Sequence, residues 1–161
     1  MSIVTPYIES LERLKDDIPL IAYDVAVKNA EKIIKILQDE QLGIGLNSFG
    51  SSLSFSQGNV SGDGTYTEWT EQIANHESTR KPKQAGDVYN FEWTGSTFDS
   101  MILKADDSGE YQILSTDGKM RMLEGLYGKI FDLTPQHNEY VNEVIIKPEL
   151  YKYLLNNLFK I

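Results

Sequence analysis

Residues Leu20 to Gln41 carry one unbroken apolar stripe, and a rod with such a stripe has to be covered. Ile21, Val25, Ala26, Ala30, Ile33, Ile34 and Leu37 recur at helical spacing, while Lys28, Glu31, Lys32 and Lys35 fall largely off that face. Gly43 and Gly45 end the run. At ~1.5 Å per residue the helix is about 30 Å long, and a helix of that length is stabilised mainly by what packs on its apolar side.

The expected cover is a hairpin downstream. Phe98, Ser100, Ile102 and Lys104 alternate with Met101, Leu103 and Ala105, and Tyr111, Ile113 and Ser115 alternate with Gln112 and Leu114. Asp106-Asp107-Ser108-Gly109 between them is a turn sequence, since Gly109 accepts positive φ and the Asp side chains bond nearby backbone. Tyr89, Phe91 and Trp93 alternate as a further strand-like edge from Val88 to Trp93. From Asp117 the period becomes helical through Met120, Leu123, Leu126 and Tyr127, with Gly128 as C-cap. The expected architecture is α+β: a long N-terminal amphipathic helix packed on a small antiparallel sheet over about 88–116, with C-terminal helices on its flank.

The remaining segments fit around that frame. Ile8, Leu11 and Leu14 predict a short helix before Pro19, which should break it or open the next one. Thr134 or Asp132 should cap a helix with Pro135 in its first turn, running to Ile146 with Tyr140, Val141, Val144 and Ile145 inward. Pro148 should kink or restart it before a last amphipathic segment with Leu150, Tyr153, Leu154 and Leu158. Residues 43–85 are expected to form a long flexible loop, rich in serine and glycine over 46–64, with a helical turn near Trp69 and Ile73. The reading is one domain over residues 1–161.

The formal net charge of −9, from 24 acidic and 15 basic residues, disfavours specific nucleic-acid or anionic-membrane binding, because both need a positive field. With no cysteine in the chain, disulfides, thiolate nucleophiles and cysteine metal sites are excluded. No stretch approaches the ~20 apolar residues of a membrane span. Glu9 and Glu12 stand where a secretory leader would be apolar, so the expected compartment is the cytoplasm.

Candidate chemistry is sparse. Asn59 to Thr70 mimics the start of a calcium loop, but lacks Asp at the first position and Glu at the twelfth. His76 and His137 are the only histidines, and neither sits in a nucleophile motif. Gly43-Ile44-Gly45 lacks the third glycine of a dinucleotide fingerprint. The expectation is therefore no catalytic residue, no metal and no cofactor. Arg80, Lys81 and Lys83 form a small basic cluster, read either as a solvated loop or as a docking arm for an acidic neighbour, including another copy of the chain. Tyr66 and Trp69 are large aromatics in a polar stretch; they either anchor an interface or pin the loop to the core.

The order of segments resembles a known family. A long amphipathic helix, a Gly/Ser-rich loop with Gly50-Ser51-Ser52-Leu53, the Thr79-Arg80-Lys81 segment, Trp93-Thr94-Gly95 leading to a strand from Phe98, and Ser115-Thr116-Asp117, Lys119, Leu123, Tyr127-Gly128, Ile130-Phe131 and Leu133-Thr134 follow in turn. Together they resemble the tail-completion and virion-morphogenesis proteins of tailed bacteriophages, in a subgroup from phages and prophages of Bacteroides-type hosts. The resemblance implies a non-catalytic structural protein of the head–tail junction, in a ring of its own copies against connector, portal or tail proteins. It implies a place in the virion, and in the host cytoplasm during assembly. With it, Trp93 joins Tyr66, Trp69, Arg80, Lys81 and Lys83 as expected interaction residues. The alternative is a small phage- or mobile-element-encoded regulatory module that binds one protein and stays out of the virion.

Overall fold

The computed structural model describes residues 5–53, 64–106 and 110–158. It is an α+β arrangement of helices around one two-stranded antiparallel sheet. Helix α1 spans Thr5–Lys28 and α2 spans Ala30–Lys35, followed by a π turn over Ile36–Gln41 and a 3-10 turn over Leu42–Ile44. The rod therefore starts well before Leu20, and Pro19 lies inside α1 rather than breaking it. The buried face runs on past the proline through Leu14, Val25 and Ala26, so packing outweighs the one backbone bond that Pro19 cannot donate. The discontinuity falls at Asn29 instead. Its side-chain amide donates to the Val25 carbonyl at 2.9 Å, in competition with the backbone ladder.

Gly45 ends this run with φ +77°, and Leu46 then bridges to Ser52. Within the expected loop over 43–85, the helical turn expected near Trp69 and Ile73 is a longer helix, α3 (Glu68–His76), capped by Thr67, whose hydroxyl accepts from the Thr70 N–H. The calcium-loop-like run from Asn59 to Asp63 lies outside the described residues. Val88 to Trp93 is not a strand among the described residues; only Val88 pairs, in an isolated bridge with Thr65.

The sheet is correspondingly smaller than 88–116. Gly95, at φ +84°, turns the chain into a single helical turn, α4, over Ser96–Asp99, so β1 begins at Met101 rather than Phe98. Strand β1 (Met101–Ala105) pairs with β2 (Tyr111–Ser115), Leu103 opposite Ile113. Phe98, Met101 and Ile113 are buried with Val25, Ile33, Leu37, Phe91, Phe131 and Val141 in one core. Helix α5 (Met120–Tyr127) ends at Gly128.

Helix α6 (Pro135–Val141), a π turn (Asn142–Ile146) and α7 (Lys147–Leu158) follow one another without a gap. Thr134 caps α6 by accepting from the His137 N–H at 3.2 Å. The wide turn comes where Pro148 could neither donate to the Val144 carbonyl nor avoid crowding it. This C-terminal rod packs chiefly on α1, and Tyr153 and Asp17 make a polar contact at 3.4 Å. Its inner face holds Val141 and Ile146, whereas Tyr140 and Val144, expected inward, face outward. The π turn, which carries one residue more than the 3.6-residue period allows for, takes Val144 off the inner face, while Tyr140 precedes it on α6, beside the buried Val141. No helix among the described residues is long and apolar enough to cross a membrane.

Candidate functional site

The six expected interaction residues lie on a clasp formed by residues 64–99. Two short backbone runs close it: the Tyr66 N–H donates to the Asp87 carbonyl at 2.9 Å, and the Tyr89 N–H to the Gly64 carbonyl at 2.8 Å. Helix α3 is spliced into the loop so formed. The Glu71 carboxylate accepts from the Ala85 N–H at 2.9 Å, and the Glu77 carboxylate accepts from the Trp93 indole N–H at 2.8 Å.

Inside the clasp, Asn90 gathers the polar groups. Its side-chain oxygen accepts from the Lys83 ammonium at 2.6 Å and from the Glu92 N–H at 3.1 Å. The Tyr66 hydroxyl donates to the Asn90 carbonyl at 2.9 Å, and Lys83 Nζ lies 5.2 Å from the centre of the Tyr66 ring. Lys83 is only 2 % exposed, so the expectation of a solvated loop does not hold for it. Burial disfavours its charged ammonium and lowers its pKa, and the Glu92 charge opposes that. Burial also pushes the Tyr66 phenol up to about 12.

Arg80 and Lys81 are exposed but engaged. Arg80 pairs with Asp99 at 2.7 Å, which raises its pKa, and its Nε stands 4.0 Å from the buried Glu92, while Lys81 pairs with Glu92 directly. The Arg80 N–H donates to the Trp93 carbonyl at 2.7 Å. Five of the six residues thus come together and hold the segment shut. For Tyr66, pinning is what the geometry supports: its ring meets Tyr89 at 5.2 Å, and Tyr89 stacks on Tyr127 at 5.4 Å.

Trp69 stands apart. It is 56 % exposed on α3, where Gln72, Ile73, Asn75 and His76 line an open depression of about 410 Å³ with it. Ile44, Phe49 and Val88 are also exposed. Val88 packs against Gly45, next to Ile44, and pairs with Thr65, four residues before Trp69. Val88 and Ile44 thus form an exposed apolar pair beside the clasp, while Phe49 lies in a separate turn, where the Ser48 N–H donates to the Lys129 carbonyl at 3.0 Å.

A second exposed surface was not anticipated from the sequence. Tyr140, Val144, Tyr151 and Leu155 are between 49 % and 65 % exposed along the outer side of the C-terminal rod, with Pro148 between them. The apolar spacing 140, 144, 148, 151, 155 was the available signal. It was masked by the inner apolar residues interleaved with it.

Among the described residues, no group of three or more His, Asp or Glu side chains could hold a metal ion. Comparison with protein-family models, with curated proteins and with solved structures finds no match.

Proposed function

We propose that this chain is an assembly protein of a tailed bacteriophage, placed at the head–tail junction as a tail-completion or connector-adaptor subunit. It works by contacts between copies in a ring and with neighbouring connector, portal or tail proteins. The observation that carries the reading is the exposure of large apolar side chains on and beside the clasp, Trp69 and Val88 with Ile44 next to Val88. Exposed apolar groups of this size favour association, and tryptophan is enriched among residues that dominate interface energies. The order of motifs from the amphipathic helix to Leu133-Thr134 supplies the class of assembly.

The test is composition. Mass spectrometry of purified particles should find the chain at a fixed copy number, and Trp69→Ala should reduce its incorporation. Particles that contain none of it, recovered from cells in which the chain is abundant, would favour the regulatory-module alternative.

A further inference from the structure

We infer that the outer stripe of the C-terminal rod docks on the same stripe of a second copy of this chain. The two rods lie antiparallel about a two-fold axis near Lys147 and Pro148. This does not rest on the virion reading, since the stripe and the clasp end are separate surfaces.

The spacing of the stripe selects a second copy as occupant. Tyr140 and Val144 precede the midpoint between Lys147 and Pro148 by the same intervals at which Leu155 and Tyr151 follow it. An isologous contact needs a patch that is complementary to itself when turned through a half-circle. Here that rotation sets Tyr140 opposite Leu155 and Val144 opposite Tyr151, apolar against apolar at each level. Pro148 lies at the centre, and the neighbouring Lys147 is held by Glu143 on its own helix.

Charge points the same way. The chain as a whole is −9, so most faces of two copies repel each other. The rod carries Glu139, Glu143 and Glu149 against Lys147 and Lys152, one net negative charge of the nine. Four of these five groups are paired internally, Glu143 with Lys147 and Glu149 with Lys152. Two copies therefore meet here with little like-charge cost. A buried tyrosine covers roughly 150–250 Å²; with half or more of that free at Tyr140 and Tyr151, the stripe offers about 400 Å² per copy. Two copies would bury about 800 Å² in all, below the ~1,200–2,000 Å² of stable specific interfaces, which implies a weak, concentration-dependent pair.

Sedimentation equilibrium of the purified full chain should show the mass rising toward twice the monomer at concentrations on the order of 100 μM. Tyr151→Glu should weaken this association by roughly tenfold or more while leaving thermal unfolding unchanged, because the side chain is 65 % exposed. The absence of cysteine allows a direct test of the axis. Pro148→Cys should cross-link to itself under mild oxidation much faster than Glu31→Cys, an exposed site on α2. A chain that stays monomeric overturns the inference, and so does a dimer untouched by Tyr151→Glu or a Pro148→Cys protein that links no faster than the control. Each of these results leaves the particle-composition test of the virion role unaffected.

Discussion

The Gln41 side chain holds Thr134 from the far end of the chain: its Oε1 accepts the Thr134 N–H at 2.8 Å, and its Nε2 donates to the Asp132 carbonyl at 2.9 Å. Gln41 is fully buried at the end of the first rod, and Thr134 caps the start of the second. Gln41→Leu keeps the approximate volume but leaves that N–H and carbonyl without their partner. A loss of about 2–4 kcal/mol is expected from two unsatisfied buried groups. Urea unfolding should show a lower midpoint at unchanged slope. A loss under ~0.5 kcal/mol would mean that water reaches both groups.

Two glycines should respond to alanine with opposite signs. At Gly45 the backbone is left-handed, and an added Cβ would collide with a Val88 methyl and lie 2.9 Å from the Tyr89 carbonyl oxygen. Gly45→Ala is expected to cost about 2–3 kcal/mol. At Gly125, inside α5, an added Cβ meets nothing within 4 Å. Gly125→Ala should stabilise by about 0.5–1 kcal/mol through helix propensity. Thermal melts of the two variants check both signs together.

Glu92 should govern access to the clasp. Its buried carboxylate is the shared partner of Lys81 and Arg80. Glu92→Ala releases Lys81 and leaves Arg80 to Asp99 alone, and is expected to cost about 1–2 kcal/mol, modest because both cations remain solvated. Trypsin should then cut after Arg80 several times faster than in the wild type, since local opening exposes that bond. Equal cleavage rates would show that the backbone pairing around Tyr66 and Tyr89 closes the clasp by itself.

Stability should fall at alkaline pH through the tyrosines. Burial pushes the Tyr66 and Tyr111 phenols up to about 12, and raises Tyr89 and Tyr127 as well. In the unfolded chain these groups lose their protons near 10, so the unfolded state binds fewer protons above that pH. Their contribution is complete below about pH 10 and is lost as pH rises toward 12. Tyrosinate absorbance in the native protein should lag that in urea across this window. Coincident curves would refute the burial of this cluster.

The legible parts of the fold were those governed by short-range chemistry. The hairpin followed from alternation, though its first strand begins at Met101 rather than Phe98, and the Gly128 stop and, as one of two candidates with Asp132, the Thr134 cap followed from residue type at a helix end. Pro19 misled because its cost is local while buried residues stand on both sides of it, Leu14 before and Val25 and Ala26 after. Residues 88–93 look like a strand because Tyr89 and Phe91 alternate with polar neighbours. In fact the two rings pack against Tyr127, and Asn90 and Glu92 serve the clasp. Lys83 could not be foreseen as buried, since its partner Asn90 and the Tyr66 ring are brought to it by the fold alone. The outer stripe was visible as apolar residues but not as a surface, because a chain does not announce which of two interleaved stripes faces its own interior.

The wide turn at 142–146 gives the C-terminal rod one spare residue. Removing a residue from a regular α-helix swings everything beyond it by about 100°. A residue taken out of this turn is absorbed, because the loosened coil tightens to the ordinary pitch. A chain lacking Asn142 should therefore keep Tyr151 and Leu155 aimed as they are now. The same excision within α7 would rotate the residues beyond it off the exposed side. Length drift in this rod is thus tolerated at one joint, next to Pro148, upstream of the half that carries Tyr151 and Leu155.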